Sequence, residues 1–327
     1  MTFLKKIVKA VFLAVRVPID LLLVLLAIPS ALVLLGYRKF GSGRLPLTTK
    51  VLKKIGLFPI RAHYYEPLFQ DSALCAPLSQ NRFLPGIDWN ISGQLAFLDK
   101  LTFASELIEM KWDRPPDTAQ FFYVHNGSFV SGDAEYLYQF LRSVKPQRII
   151  EIGSGYSTKV AIQALRRNRE DSGTEAKHTC IEPYEMPWLE SFVEIEVIRR
   201  KVEDCDFDWS KELRSGDLLF VDSSHVIRPQ GDVLKEFLEI FPQLASGVYI
   251  HVHDIFSPKD YLREWVVNEV RFWNEQYLLE ALLSNSNRYE VIGALNYLKH
   301  SQYDRLKEVC PYLTPEREPG SFYMRVR

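Results

Sequence analysis

The chain has 327 residues, 47% hydrophobic, 25% charged and 13% aromatic. That length suits one large domain with an appendage or two domains, and the composition excludes a disordered or low-complexity chain. Four cysteines without a CxxC pair exclude a disulfide scaffold or a zinc ribbon, and they read as thiols in a reducing compartment. The formal net charge of −1 conceals a polarity. Residues 1–61 hold eleven Lys/Arg and one acid, Asp20, a net +10 that leaves −11 for the rest. A basic head on an acidic body suggests a head that meets an anionic surface, and nothing in this balance calls for a nucleic-acid partner.

The head comes first in the chain. Val17 to Leu35 (VPIDLLLVLLAIPSALVLL) is almost wholly apolar. Nineteen helical residues rise about 28 Å, close to a bilayer core of about 30 Å. Pro29 removes a hydrogen bond near the middle and predicts a break. Lys5, Lys6, Lys9 and Arg16 precede the run, and Arg38, Lys39 and Arg44 follow it. A single span puts one of these clusters on the disfavoured side, whereas a helix–break–helix dipping into one leaflet keeps both on the cytoplasmic face. The expectation is membrane attachment, in re-entrant form slightly ahead of a span, with the body in the cytoplasm. A cleaved leader fits worse, because Pro29-Ser30-Ala31 is a poor cleavage site. A buried core helix would show a polar stripe, and this segment has none.

The expected division is 1–37 as the hydrophobic membrane segment, 38–147 as basic linker and cap, and 148–327 as the main domain. Within the cap, HYYEPLF (63–69) reads equally as a lid or as packing. A helical stretch lies near Gln94–Met110, and Asp133–Val144 is a helix with Tyr136, Leu137, Phe140 and Leu141 on one face.

From Arg148 strand and helix alternate. Strand 148–153 leads to helix 157–169, and strand 178–182 follows. A short helix at Trp188-Leu189 precedes strand 194–199, and strand 217–222 leads to helix 231–244. Strand 247–253 leads to a long helical region, 260–284, and strands 289–298 and 321–327 close the chain with no helix between them. This pattern predicts an α/β fold: a mostly parallel sheet, helices on both faces and an antiparallel end.

Ligands of such sheets bind beyond the carboxyl ends of the strands. Glu151 ends the first strand, and Gly153, Ser154, Gly155, Tyr156 and Ser157 form a Gly-x-Gly turn into a helix, as at nucleotide-like cofactors. Glu182 ends the second strand and can accept both hydroxyls of a ribose. The fourth strand ends Val221-Asp222-Ser223-Ser224-His225, and the fifth His251-Val252-His253-Asp254. Asp222 and Asp254 could hold a divalent cation such as Mg2+. His225 could take a proton from a hydroxyl, with Asp222 orienting it. His251 lies deeper and reads as structural. Trp265, Phe272 and Trp273 read as core contacts of an amphipathic helix, with Arg271, Glu275 and Gln276 available to an acceptor pocket.

The runs EIGSGYST, IEP, FVDSSH and HVHDIF, followed by REW and RFWNEQYLL, resemble a bacterial family of class I S-adenosylmethionine-dependent methyltransferases. The likeness spans roughly 55–327 and is most specific from 148 to 283. It implies a seven-stranded Rossmann-like sheet with an antiparallel last strand. It also implies a methionine side of the cofactor lined by Gly153, Ser154, Gly155 and Ser157, a ribose held by Glu182, and Glu203 near the adenine. The strand-end acids are also similar to those of metal-dependent sugar O-methyltransferases. There Asp222, His225 and Asp254 match, while His253 stands where an acid or amide is usual.

The resulting expectation is transfer of a methyl group to a hydroxyl of a small-molecule or glycan acceptor, or of a lipid-linked intermediate, at a membrane. Two alternatives compete with it. One is an NAD-type dehydrogenase, against which Thr158 stands where GxGxxG needs glycine. The other is a non-catalytic membrane scaffold that keeps the cofactor fold.

Overall fold

The computed structural model describes residues 2–116, 118, 120–173 and 175–327, with side chains from Val15 onward. The chain divides into two compact units, Met1–Cys75 and Ala76–Arg327. The boundaries expected at 37 and 147 are therefore not those of the compact units.

In the first unit, α1 runs unbroken from Thr2 to Phe40 with Pro18 and Pro29 inside it. The break expected at Pro29 does not occur, and neither does the helix–break–helix form built on it. A proline removes one donor, but the Ser30 hydroxyl bonds Leu26 O at 2.9 Å in the same turn. Neighbouring hydroxyls of this kind help long apolar helices tolerate proline. Val15–Phe40, with a mean hydropathy reaching 2.5, is long and apolar enough to cross a membrane. A second helix, α2, spans Pro46–Ile55.

The second unit opens with α3 (Ile91–Leu98), α4 (Ala104–Met110) and α5 (Asp133–Val144). Then come β1 (Arg148–Ile152), α6 (Tyr156–Ser172), β2 (Lys177–Ile181), β3 (Ile195–Ile198), α7 (Trp209–Glu212) and β4 (Leu218–Val221). Next is α8 (Asp232–Lys235), continuing through a wider turn at Glu236–Ile240 and a tight one at Phe241–Gln243. The last elements are β5 (Tyr249–Val252), α9 (Glu275–Leu283), β6 (Tyr289–Ala294), α10 (Leu295–Ser301), α11 (Tyr303–Val309) and β7 (Phe322–Val326).

Among the described residues seven strands form one sheet in the order β3-β2-β1-β4-β5-β7-β6. β7 runs antiparallel to both β5 and β6. The antiparallel end is as the sequence suggested, but two helices, α10 and α11, separate the closing strands. The long helix expected over 260–284 is also absent. A short wide-turn helix covers Glu264–Asn268, the chain is irregular to Asn274, with Val270 at φ +56°, and α9 follows.

Strand alternation splits the interior into two cores. Ile149, Leu218, Phe220 and Tyr323 pack with Phe140, Leu141, Val160 and Ala164 of α5 and α6, and with Trp112 and Phe122 from the segment before them. Ile150, Ile152, Val221 and Val252 pack with Phe237, Phe241 and Leu279 on the other face. Each such side chain contributes roughly 1.5–3 kcal/mol on burial. The described residues between 91 and 141 thus share a core with the sheet and belong to its unit. One register row crosses the sheet as Cys180, Glu151, Phe220, His251 and Tyr323. Because side chains alternate, this row faces α5 and α6 rather than the cleft at the strand ends.

Candidate active site

The cofactor half of the cleft is built at the ends of β1 and β2. Gly153 has φ +78°, and a Cβ there would run into the Asp222 carbonyl, so only glycine lets the two strand ends close on each other. Asp222 N–H donates to Ile152 O at 2.8 Å, and Gly153 N–H to Ile181 O at 3.0 Å. Glu182 accepts the N–H groups of Tyr184 and Glu185 at 2.9 Å and that of Ser154 at 3.3 Å. An ionised carboxylate offers about four lone-pair directions, so capacity remains for a ribose hydroxyl. The cavity here measures about 450 Å³ and is lined by Gly153, Glu182, Glu203, Asp222, Ser224 and Arg228, among others. Pockets of about 300–1,000 Å³ hold small molecules, so size and donor set fit S-adenosylmethionine.

Glu151, Gly155, Tyr156 and Ser157 are not among the residues that line this cavity, whereas Glu203 is. Glu151 is buried beneath the turn. It accepts the hydroxyls of Ser157 at 2.6 Å and Thr158 at 2.9 Å, and it lies 2.8 Å from His178 Nε2. Its place on the α5/α6 face explains this: it braces the start of α6 from inside, and Ser157 spends its hydroxyl on that brace. Gly155 N–H donates to Thr158 Oγ1 at 3.1 Å. Tyr156 stands beside Trp188, with Lys159 Nζ 4.9 Å and 4.3 Å from the two rings. Glu203 reaches Arg228 at 3.5 Å across the cavity edge.

The reactive half is built at the ends of β4 and β5. His225 Nε2 lies 3.3 Å from Asp222 Oδ1 and 3.5 Å from Asp254 Oδ2, while its Nδ1 meets Glu275 Oε2 at 2.8 Å. His253 Nδ1 lies 3.4 Å from Asp222 and 3.6 Å from Asp254, and its Nε2 is 3.9 Å from Asp133 Oδ2. Donor atoms of Asp222, His225 and Asp254 fall within 4.8 Å of one another, which fits a divalent cation with oxygen and imidazole ligands. A second such group, Glu151, His178 and Cys180, is sealed beneath α6.

Two residues of the cluster carry backbone strain. His225 has φ +60° and Asp254 φ +57°, a region costly for residues with a Cβ. His225 is held there by its own carbonyl, which accepts Asn274 N–H at 2.9 Å and Glu275 N–H at 3.3 Å. The Trp273 ring lies 4.3 Å from the His225 ring, and the Arg271 guanidinium is 4.6 Å from Trp265 and 4.4 Å from Trp273. These aromatics wall the cluster instead of forming a helix face.

The electrostatics follow from this crowding. Burial alone would lower the His225 pKa, but hydrogen bonds to Asp222 and Glu275 outweigh it and raise it well above the usual histidine range. His253 is raised in the same way by Asp254 and Asp222. Burial opposes ionisation of Asp222, yet the two imidazoles hold its carboxyl below the usual range. Burial raises Asp254 and Glu275. His251 is buried against Phe220, 4.0 Å away, with no hydrogen-bond partner at either nitrogen among the described residues, and burial pushes its pKa down.

The structure thus brings together Asp222, His225 and Asp254, and places Gly153, Glu182 and Glu203 on the adjoining cavity. Sequence reasoning assigned Glu275 to an acceptor pocket and overlooked Asp133. Glu275 sits 50 positions from His225. Its one sequence signal is an acid among the aromatics of RFWNEQY, and Asp133 carries none beyond opening a helix.

Residues 150–255 match the family model described as a methyltransferase domain. An uncharacterised protein of Archaeoglobus fulgidus is 26% identical over 168 residues, covering 48% of this chain and 74% of its own. Among solved structures, a putative protein-L-isoaspartate O-methyltransferase of Plasmodium falciparum with S-adenosyl-L-homocysteine is 15% identical. It covers 49% of this chain and 83% of its own at a TM-score of 0.28. The 1,6-didemethyltoxoflavin-N1-methyltransferase of Burkholderia thailandensis is 11% identical and covers 76% and 93% at 0.31. These overlays are loose, and the assignment rests on the family match and on the strand order with its reversed β7. Residues 150–255 of the sheet-bearing unit are thus similar to a methyltransferase domain, carried on a Rossmann-like sheet with a reversed β7.

Proposed function

We propose that the protein O-methylates a hydroxyl of a glycan or lipid-linked intermediate at a membrane, with S-adenosylmethionine as donor. The observation that carries the reading is the position of Asp222. It lines the cofactor cavity and also contacts His225 and His253, so one residue is the wall between donor and proton acceptor. S-Adenosylmethionine supplies a methyl group on a sulfonium, which an oxygen nucleophile takes by in-line displacement. The chain's own part is to align the acceptor oxygen and remove its proton.

His225 Nε2 faces the site and takes that proton. Glu275 holds Nδ1 and fixes the tautomer, and Asp222 and Asp254 stabilise the imidazolium that results. Asp222 and Asp254 would also be the residues to hold a cation such as Mg2+, which lowers the pKa of a bound hydroxyl. His253 between them favours a metal that accepts imidazole as well as oxygen.

The membrane part of the reading is supported by α1, whose residues Val15–Phe40 have the length and hydropathy of a span. The dehydrogenase and scaffold alternatives draw no support from the family match.

The test is calorimetry with S-adenosylmethionine, with and without Mg2+, followed by transfer of labelled methyl to lipid-linked and free glycans. Micromolar binding and label in the lipid-linked or glycan fraction are expected. Absence of binding would overturn the methyltransferase reading, and label only in acceptors lacking a hydroxyl would overturn O-methylation.

A further inference from the structure

Among the described residues, nothing covers the apolar face of the second helix of the N-terminal unit. Leu47, Val51 and Ile55 of α2 recur every fourth residue and are 80%, 56% and 72% exposed. No residue of α2 is buried. Lys53 lies on the opposite side of the helix, and Lys50 and Lys54 flank the apolar face. The helix is well made all the same. Pro46 opens it, Gly56 closes it at φ +86°, and Leu57 N–H caps Leu52 O at 2.9 Å. The residues after it continue the apolar side, with Leu57, Phe58 and Ile60 each more than a third exposed.

The depth of this helix is set by its attachment to α1. Tyr37 is 5% exposed. Its hydroxyl lies 2.5 Å from Thr49 Oγ1, and Thr49 also donates to Ser42 O at 2.7 Å. Tyr37 packs edge-on against Phe58, and Glu66 pairs with both Arg38 and Arg61. Residues 46–66 are therefore pinned to the end of α1, two residues past the apolar run that closes at Leu35. A tyrosine at that point of a span lies at the headgroup level, with Arg38 and Lys39 just beyond it.

We infer that α2 is an interfacial helix that lies on the anionic headgroups of the bilayer holding α1. Leu47, Val51 and Ile55 enter the acyl boundary, and Lys50, Lys53 and Lys54 meet lipid phosphates. This rests on the membrane reading of α1 and adds a second contact, one that fixes which end of α1 faces the anionic leaflet. An aliphatic face with basic residues at its flanks and behind it is the composition that lies in an interface, and each lysine near such a surface favours binding by about fivefold.

The test uses the full chain in nanodiscs of phosphatidylcholine alone or mixed with phosphatidylglycerol. Nitroxide labels are placed at Val51→Cys or Lys53→Cys in a Cys75→Ser background. In anionic discs the label at 51 should be at least about fivefold less accessible to a water-soluble nickel complex than the label at 53. K50E/K54E should abolish that difference while the chain still resists carbonate extraction. Equal accessibility at 51 and 53 in anionic discs would overturn the inference. So would protection at 51 seen only with two chains per disc, which would make a second copy the occupant. Extraction of the unmutated chain by carbonate would instead overturn the membrane reading of α1 itself.

Discussion

At the ends of β1 and β2 the cleft is shaped by main chain. A glycine lets two strands meet, and Glu182 is charged with backbone N–H groups before any ligand arrives. At the ends of β4 and β5, a few residues away, it is built from side chains that titrate. Two imidazoles share two carboxylates, and two of the four residues sit at positive φ. The first half has its backbone N–H groups and the Glu182 carboxylate paired with one another, as a preorganised binding surface requires. The second holds mutually compensating charges in strained backbone, which persists only when its surroundings enforce it. Under the proposed function, binding and chemistry use different materials within one cleft.

Substitutions can break that comparison. The largest effect is expected for His225→Ala, which should cost transfer about 10²–10⁴-fold while leaving cofactor affinity unchanged. Turnover measured beside calorimetry checks it, and surviving activity would remove His225 as the base. Next, Glu182→Ala should weaken S-adenosylmethionine binding by about 10–100-fold, the worth of hydrogen bonds to a charged group, with the fold intact.

Glu151→Ala should do the opposite. It strands the Ser157 and Thr158 hydroxyls and His178, and should cost about 1–3 kcal/mol of stability in denaturant melts with a smaller effect on cofactor affinity. A large affinity loss without destabilisation would return Glu151 to the cofactor surface.

The smallest effect is expected for Glu275→Gln, a fall in kcat of about tenfold with a shifted pH profile. The sign follows from the contacts. His225 must be neutral to accept a proton, and Asp222, Glu275 and Asp254 all favour its charged form. Rate should therefore rise with pH through the raised His225 value. Loss of the Glu275 charge lowers that value, so the acid limb moves to lower pH. A merely structural Glu275 would leave the limb in place.

Much of the cofactor half was legible in the chain because its parts are contiguous. The run from Glu151 to Thr158 is strand, turn and helix in sequence, and Gly153 announces a close approach wherever it is read. The direction of Glu151 was not legible from the motif alone. It depends on which face of β1 α5 and α6 cover, and that is settled by packing of Phe140, Val160 and Ala164. The reactive half was legible as strand-end residues, Asp222, His225 and Asp254, because the ends of adjacent parallel strands meet. Its anchor was not, since Glu275 and Asp133 arrive from the starts of α9 and α5.

By itself the sequence determined the alternation of strand and helix, the glycine turn, the acids at the strand ends and the apolar basic head, all of which are local patterns of period and spacing. Only the tertiary structure decided that α1 continues through Pro29, that two helices intervene before β7, that Glu151 braces from within, and that Glu275 holds His225. Apart from the first, each of these depends on which residues a distant element brings alongside, and no local spacing encodes that.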